Sequence, residues 1–228
     1  MGMEFASAGL TAGQLNAIVK KLGGHDMALR FLKGELSVSE PASPAGRPAW
    51  PAGRPTRSWR EEDGVIYFSV TSDGTTGKDW ITRLESKGFR VGDYAKQVLR
   101  SPNLPGRQAG FKPTNGVTTE VAVLKGMLFE DNDRITKKIH AEADKRKLSK
   151  PNAELACLIR EKFTDKEIEA MGLWYIIAMH EPINDSDGGP GLLSADRDDG
   201  GRWLGTYYDR PDGGWYRSHG FAFVVPKE

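Results

Sequence analysis

Apolar residues recur at three- and four-residue steps near the start of the chain, where Leu15, Ile18, Val19 and Leu22 follow Thr11, a natural N-cap. After a Gly23-Gly24 break a second set, Met27, Leu29, Phe31, Leu32 and Leu36, repeats the pattern. The spacing predicts a helical hairpin over residues 1–36. The stretch SVSEPASPAGRPAWPAGRPTRS carries PAGRP twice, and proline at that density removes backbone donors and fixes dihedrals. Residues 37–58 therefore read as an extended, semi-rigid linker.

From residue 59 the period changes. GVIYFSV has the β-branched and aromatic run of a strand, KDWITRLESKGF reads as a helix ending at Gly88, and VGDYAKQVLRS as a second helix capped by Asp93. A Gly/Pro-rich connection then leads to the strand TTEVAVLKGML. We expect a small α+β segment over residues 59–115 and a boundary near Gly116. Residues 116–228 continue with the helix DRITKKIHAEADKRK and with LSKPNAELACLIREKF, where Ser149 suits the N-cap, Pro151 the first turn and Glu154 the capping partner. The strand LWYIIAMHEPI follows. Beyond it the regular patterns thin out, and turns built from Gly, Asp and Pro carry the chain to FAFVV. Strands and helices do not alternate as a parallel doubly wound sheet requires, so the expected class is α+β.

With 32 basic and 31 acidic side chains the net charge is +1, which supplies no bulk attraction to nucleic acid or an anionic membrane. The basic residues Lys20, Lys21, Arg30 and Lys33 would suit a helix-turn-helix reader, but two helices are too few for that fold, and a packing or partner-docking role fits better. No apolar run approaches the roughly 20 residues of a membrane span, and the N-terminus lacks a secretory pattern. The expectation is a cytoplasmic protein, with association to a surface or particle as the other option. The single cysteine, Cys157, falls in a helical pattern and reads as a buried hydrophobe.

Candidate chemistry is sparse. TSDGTTGKD resembles a phosphate loop only loosely, since Ser72 stands where glycine is required and Asp79 where a hydroxyl would bind magnesium. His180, Asp185 and Asp187, with Asp196, Asp198 and Asp199 beyond, form the densest set of possible metal ligands. NDSDGG has the alternating oxygens of a calcium loop, but Asp196 holds the twelfth position where a bidentate Glu belongs, and a turn bonding its own backbone is simpler. His140 lies on a helix of mixed charge, where an exposed or cap-bonded role is expected. No catalytic constellation and no cofactor is expected, and a metal-dependent enzyme or calcium-dependent binder stays as the alternative. A second alternative is an adaptor acting through the N-terminal hairpin and linker.

The sharper signal is compositional. Between residues 182 and 225 there is no Lys, Glu, Gln or Met; every cation apart from histidine is Arg and every acid Asp. Arg, Tyr, Asp, Ser, Gly and His are the repertoire of recognition surfaces: rigid amphipathic rings, a planar cation and small adaptable polar groups. The segment RWLGTYYDRPDGGWYRSHGFAFVV sets them in a sparse apolar frame of Trp203, Leu204, Pro211, Trp215, Phe221 and Phe223.

That frame, W-L, a gap, P-D, two residues, W, then F-x-F-V-V, resembles the variable end of target proteins of diversity-generating retroelements, in particular a group of small proteins from uncultured bacteria. The resemblance implies a C-type lectin-like C-terminal domain, with DRITKKIHAEADKRK and KLSKPNAELACLIREKF as its two helices. It also implies that adenine mutagenesis of Asn codons filled the gaps. Gly205, Thr206, Tyr207, Tyr208, Asp209, Arg210, Gly213, Gly214, Tyr216, Arg217, Ser218, His219 and Gly220 all belong to the set reachable in that way. All but Gly220 are the expected display residues, and the partner implied is a protein of unspecified identity.

Overall fold

A computed structural model describes residues 19–20, 24–33, 58–102, 110–198 and 200–226. The chain divides into two compact units, residues 1–55 and 56–228. In the first, helix α1 (His25–Leu32) follows Gly24, whose φ of 108° suits glycine. It matches the second helix of the expected hairpin. The first helix and the Pro-rich linker lie almost wholly outside the described residues.

The second unit is built on one sheet. Its strands are β1 (Arg60–Glu62), β2 (Val65–Asp73), β3 (Arg90–Val91), β4 (Asn115–Lys125), β5 (Tyr175–Ala178), β6 (Ile183–Asn184), β7 (Pro190–Asp198), β8 (Gly201–Tyr208) and β9 (His219–Val224). They run in the order β1-β2-β4-β9-β5-β7-β8-β3, with β6 beside β7. Only the β5·β9 and β3·β8 pairs are parallel. The class is the expected α+β. Gly116 lies inside β4, which joins β2 to β9, so the expected boundary there does not divide the sheet.

Both faces of the sheet are covered, and successive residues of each central strand serve opposite cores. Phe68, Val121, Val123, Ile176, Leu193 and Leu204 pack toward α2 (Gly77–Ser86), α3 (Asp93–Arg100) and α5 (Glu154–Lys162). Val65, Ala122, Leu124, Ile177, Leu192, Phe221 and Phe223 form the other core with Ile139 and Ala143 of α4 (Thr136–Lys145) and with Trp215. A short α6 (Asp165–Ala170) starts on a capping box in which Thr164 and Glu167 each satisfy the other's backbone N–H.

Several local expectations need correction. Helix α3 takes Gly92 as its N-cap, and Asp93 opens the first turn. Ser149 does not cap α5: its N–H and C=O exchange hydrogen bonds with Val224 at the end of β9, and Ala153 becomes the N-cap. Glu154 is wholly buried and caps nothing, accepting instead from Thr114 N (2.9 Å) and Thr114 Oγ1 (2.7 Å). TSDGTTGKD is a polar turn that starts a helix, with Thr76 Oγ1 accepting from Asp79 N at 3.3 Å. Cys157 is buried, and burial pushes its thiol well above its ordinary range.

The largest departure is the region expected to be turns. Strands β7 and β8 pair antiparallel as a hairpin, from Gly191↔Tyr208 to Asp198↔Gly201. Glycine and aspartate obscure it in the sequence, because pairing is decided by cross-strand neighbours and burial more than by intrinsic preference.

Candidate functional site

The segment joining β8 to β9 has no regular secondary structure, yet its backbone is fastened from three sides. Asp209 N donates to Pro190 O (2.8 Å), Lys137 N to Pro211 O (2.9 Å) and Trp215 N to Arg134 O (2.9 Å). Trp174 N donates to Ser218 O at 2.9 Å, and Ile135 forms an antiparallel bridge with Gly214. Arg134, 5% exposed, acts as a clasp: Nε donates to Gly126 O (2.8 Å), Nη2 to Phe129 O (2.9 Å) and Asp131 Oδ1 (2.7 Å), and Nη1 to Trp215 O (3.4 Å). A planar five-donor cation can hold several carbonyls at once, which an ammonium could not do in this geometry. Gly126 permits the close approach: a Cβ there would stand 2.5 Å from Tyr216 O and 3.0 Å from both Arg217 O and His219 O.

On this frame the expected display residues separate. Tyr208, Arg210, Gly214, Tyr216 and Arg217 face outward, Tyr216 most of all at 72% exposed. Thr206, Asp209, Gly213 and Ser218 are half-buried, and burial raises the Asp209 carboxyl. His219 is not displayed. It is 2% exposed and stands among the rings of Tyr175 (5.0 Å between centroids), Tyr216 (5.2 Å), Tyr207 (5.5 Å) and Trp215 (5.7 Å). Burial depresses its imidazole to about 4, which keeps it neutral, and its Nδ1 has no partner. Tyr207 also turns inward, against Tyr175 and Trp215, and burial raises its phenol. The alternation of β8 explains this: Leu192↔Tyr207 points to the α4 side, and Tyr208 to the other.

Two glycines of the gap set are confined. A Cβ on Gly205 would meet Asp196 Oδ2 at 2.0 Å, and one on Gly220 would meet Val123 Cγ1 at 2.6 Å and Leu173 Cδ1 at 2.8 Å. Among the frame residues Leu204, Trp215, Phe221 and Phe223 are buried, and Trp215 Nε1 donates to Thr136 Oγ1 at 3.0 Å. Trp203 is half-buried, with the Arg90 guanidinium over its ring, and Pro211 is exposed, serving only through its carbonyl.

The candidate metal ligands do not converge. His180 is 2% exposed; its Nδ1 donates to Glu181 O (2.7 Å) and its Nε2 accepts from Leu193 N (3.0 Å). Both ring nitrogens are occupied, and burial pushes the imidazole down to about 4. Asp185 Oδ1 accepts from Asp187 N (2.9 Å) and Gly189 N (2.8 Å), an Asx turn serving its own backbone. Asp196 is buried beneath Gly205, and Asp199 lies outside the described residues. Among the described residues no group of three or more His, Cys, Asp or Glu is placed to hold a metal ion. His140 stands edge-on to Phe223, and burial lowers its pKa. Among the described residues no helix is long and apolar enough to cross a membrane.

No protein-family model, curated protein or solved structure matches this chain. The sequence does not single out Tyr175, whose ring helps enclose His219, and it offers Asp196 only as a possible metal ligand. Only the alternation of polar Ser194 and Asp196 within PGLLSADRD marks either of them in the sequence.

Proposed function

We propose that the chain is a non-enzymatic binding protein whose C-terminal segment, on a C-type lectin-like architecture of the kind found in retroelement target proteins, presents Tyr208, Arg210, Tyr216 and Arg217 to a protein ligand. One observation carries the reading. These four side chains face outward from a segment held by other residues' atoms: the carbonyls of Pro190 and Arg134, the amides of Lys137 and Trp174, and the Arg134 clasp. A surface of that construction tolerates replacement, because the displayed atoms contribute little to the fold. Its rigidity also limits the ordering entropy lost on binding. The metal-dependent alternative gains no support, since the lone pair His180 would need already accepts from Leu193 N.

The test is to replace the four residues with Ser together and follow thermal unfolding and partner capture from a display library randomised at the same positions. A melting temperature within about 5 °C of the parent and recovery of binders is the expected result. A loss above about 10 °C would assign these residues to the fold and end the display reading.

A further inference from the structure

A cleft separate from the Trp215 loop lies between α3 and the end of β8. Tyr94 and Tyr208, each 44% exposed, form its walls, and Val98 and Thr206 line its floor. Two carboxylates stand at the rings: Tyr94 OH lies 3.3 Å from Asp187 Oδ2, and Tyr208 OH lies 3.4 Å from Asp185 Oδ2. Both phenols are raised, Tyr94 chiefly by the charge of Asp187 and Tyr208 by that of Asp185, so the rim is electronegative. Gly189 makes the arrangement possible, because a Cβ there would stand 2.2 Å from Tyr208 Cε1 and 2.9 Å from Asp185 Oδ2. The turn itself is anchored to α3, where Gln97 Oε1 accepts from Ser186 N at 2.8 Å.

The cleft opens to solvent. Its enclosed part, about 40 Å³, falls far short of the roughly 300–1,000 Å³ of sites for whole small molecules and admits no more than the head of one side chain. Aromatic faces beside carboxylates attract a cation through both the ring quadrupole and direct charge, and a guanidinium adds stacking that an ammonium lacks. The Tyr208 ring already carries such a group, the chain's own Arg210 guanidinium at 5.7 Å from its centroid. We infer that this cleft takes an arginine side chain of a partner protein, gripped between Tyr94 and Tyr208 and charge-paired with Asp185 and Asp187. The inference rests on the display reading and deepens it: Tyr94 of α3 and the turn at residues 185–189, outside the variable segment, supply a constant half of the grip, and Tyr208 of the variable segment supplies the other.

The full chain with ring-labelled tyrosines is titrated with N-acetyl-arginine amide, with its uncharged isostere N-acetyl-citrulline amide, and with N-acetyl-lysine amide, by nuclear magnetic resonance. The expected result is a saturable shift of the Tyr94 and Tyr208 rings by the arginine amide, about fivefold weaker with citrulline. Asp185→Asn with Asp187→Asn retains the Oδ1 acceptors of the turn and should abolish the response without lowering the melting temperature. Where that variant unfolds, the citrulline comparison on the parent chain decides alone. Equal shifts by citrulline, no shift of either ring, or an undiminished response in the folded double variant would overturn the inference, and tighter binding of the lysine amide would overturn its assignment to a guanidinium. Tyr94 and Asp187 lie outside residues 202–225, so failure here leaves the serine-replacement test of display unaffected.

Discussion

The carboxyl of Asp196 occupies the place where residue 205 would carry its Cβ: Oδ2 stands 2.0 Å from that position, with Ser194 Oγ at 3.2 Å. Register explains it, since Ser194 pairs with Gly205 and Asp196 with Trp203, leaving the carboxyl to lean diagonally over the glycine. Gly205 is thereby coupled to a buried acid on the neighbouring strand.

Gly205→Ala should therefore destabilise the protein by about 1–3 kcal/mol, the range for forcing extra volume into a packed site. In an Asp196→Ala background the same change should cost less than about half as much, because the obstructing oxygen is gone. Urea unfolding of the four proteins of this cycle measures the coupling; additive effects would show that the carboxyl moves aside freely.

Acid sensitivity follows from three buried groups. His180 and His219 are each depressed to about 4 from 6.5, so unfolding takes up protons as pH falls through that window and stability declines toward pH 4. Asp196, raised by burial to about 7 from 3.8, acts oppositely: its contribution is complete at low pH and is lost as pH rises through about 7. Between pH 6.5 and 4 the two imidazoles outweigh this one carboxyl, so stability falls as pH falls. Asp196→Asn should steepen that decline, because it removes the group whose protonation offsets the imidazoles. Unfolding midpoints at pH 4.5, 5.5 and 6.5 check this, and a flatter profile in the variant would contradict it.

Trp215→Ala should cost about 3–5 kcal/mol, the usual range for emptying a buried tryptophan site. Tyr216→Ser, one residue on, should stay within about 0.5 kcal/mol, because that ring is 72% exposed. The contrast between neighbours is the measurement, and equal losses would mean that the outward ring belongs to the core.

Arg134→Lys should destabilise by about 2–4 kcal/mol despite keeping the charge, since an ammonium cannot reach the carbonyls of Gly126, Phe129 and Trp215 together and leaves some unsatisfied in a buried place. Partner capture should fall with it, as the segment bearing Tyr216 and Arg217 loosens. A variant as stable as the parent would show that the backbone bonds to residues 134–137 suffice.

Elements with strong local patterns were legible in the sequence, and those made by pairing were not. GVIYFSV and TTEVAVLK announce β2 and β4: β2 opens on Val65 and Ile66, buried on both faces, and then alternates, while β4 closes on the buried run of residues 121–125. GRWLGTYY does not announce β8, since its glycines and exposed tyrosine weaken any period and its register comes from β7. Ser149 shows the same limit for capping, its backbone being captured by Val224, a residue distant in sequence. In the site, the inward set was legible for Trp215, Phe221 and Phe223, whose bulk demands burial. It was not for His219, a polar residue whose enclosure depends on four rings contributed by β5, β8 and the connecting segment.

Three carbonyls of the closing segment converge on Gly126, which stands far upstream in the chain and tolerates no side chain there. The path of the closing backbone is thus set by one residue far from it in the chain. A side chain at residue 126 would push against the carbonyls of Tyr216, Arg217 and His219 together, so a change at this one distant position would shift the whole course of the closing segment, whatever side chains it carries.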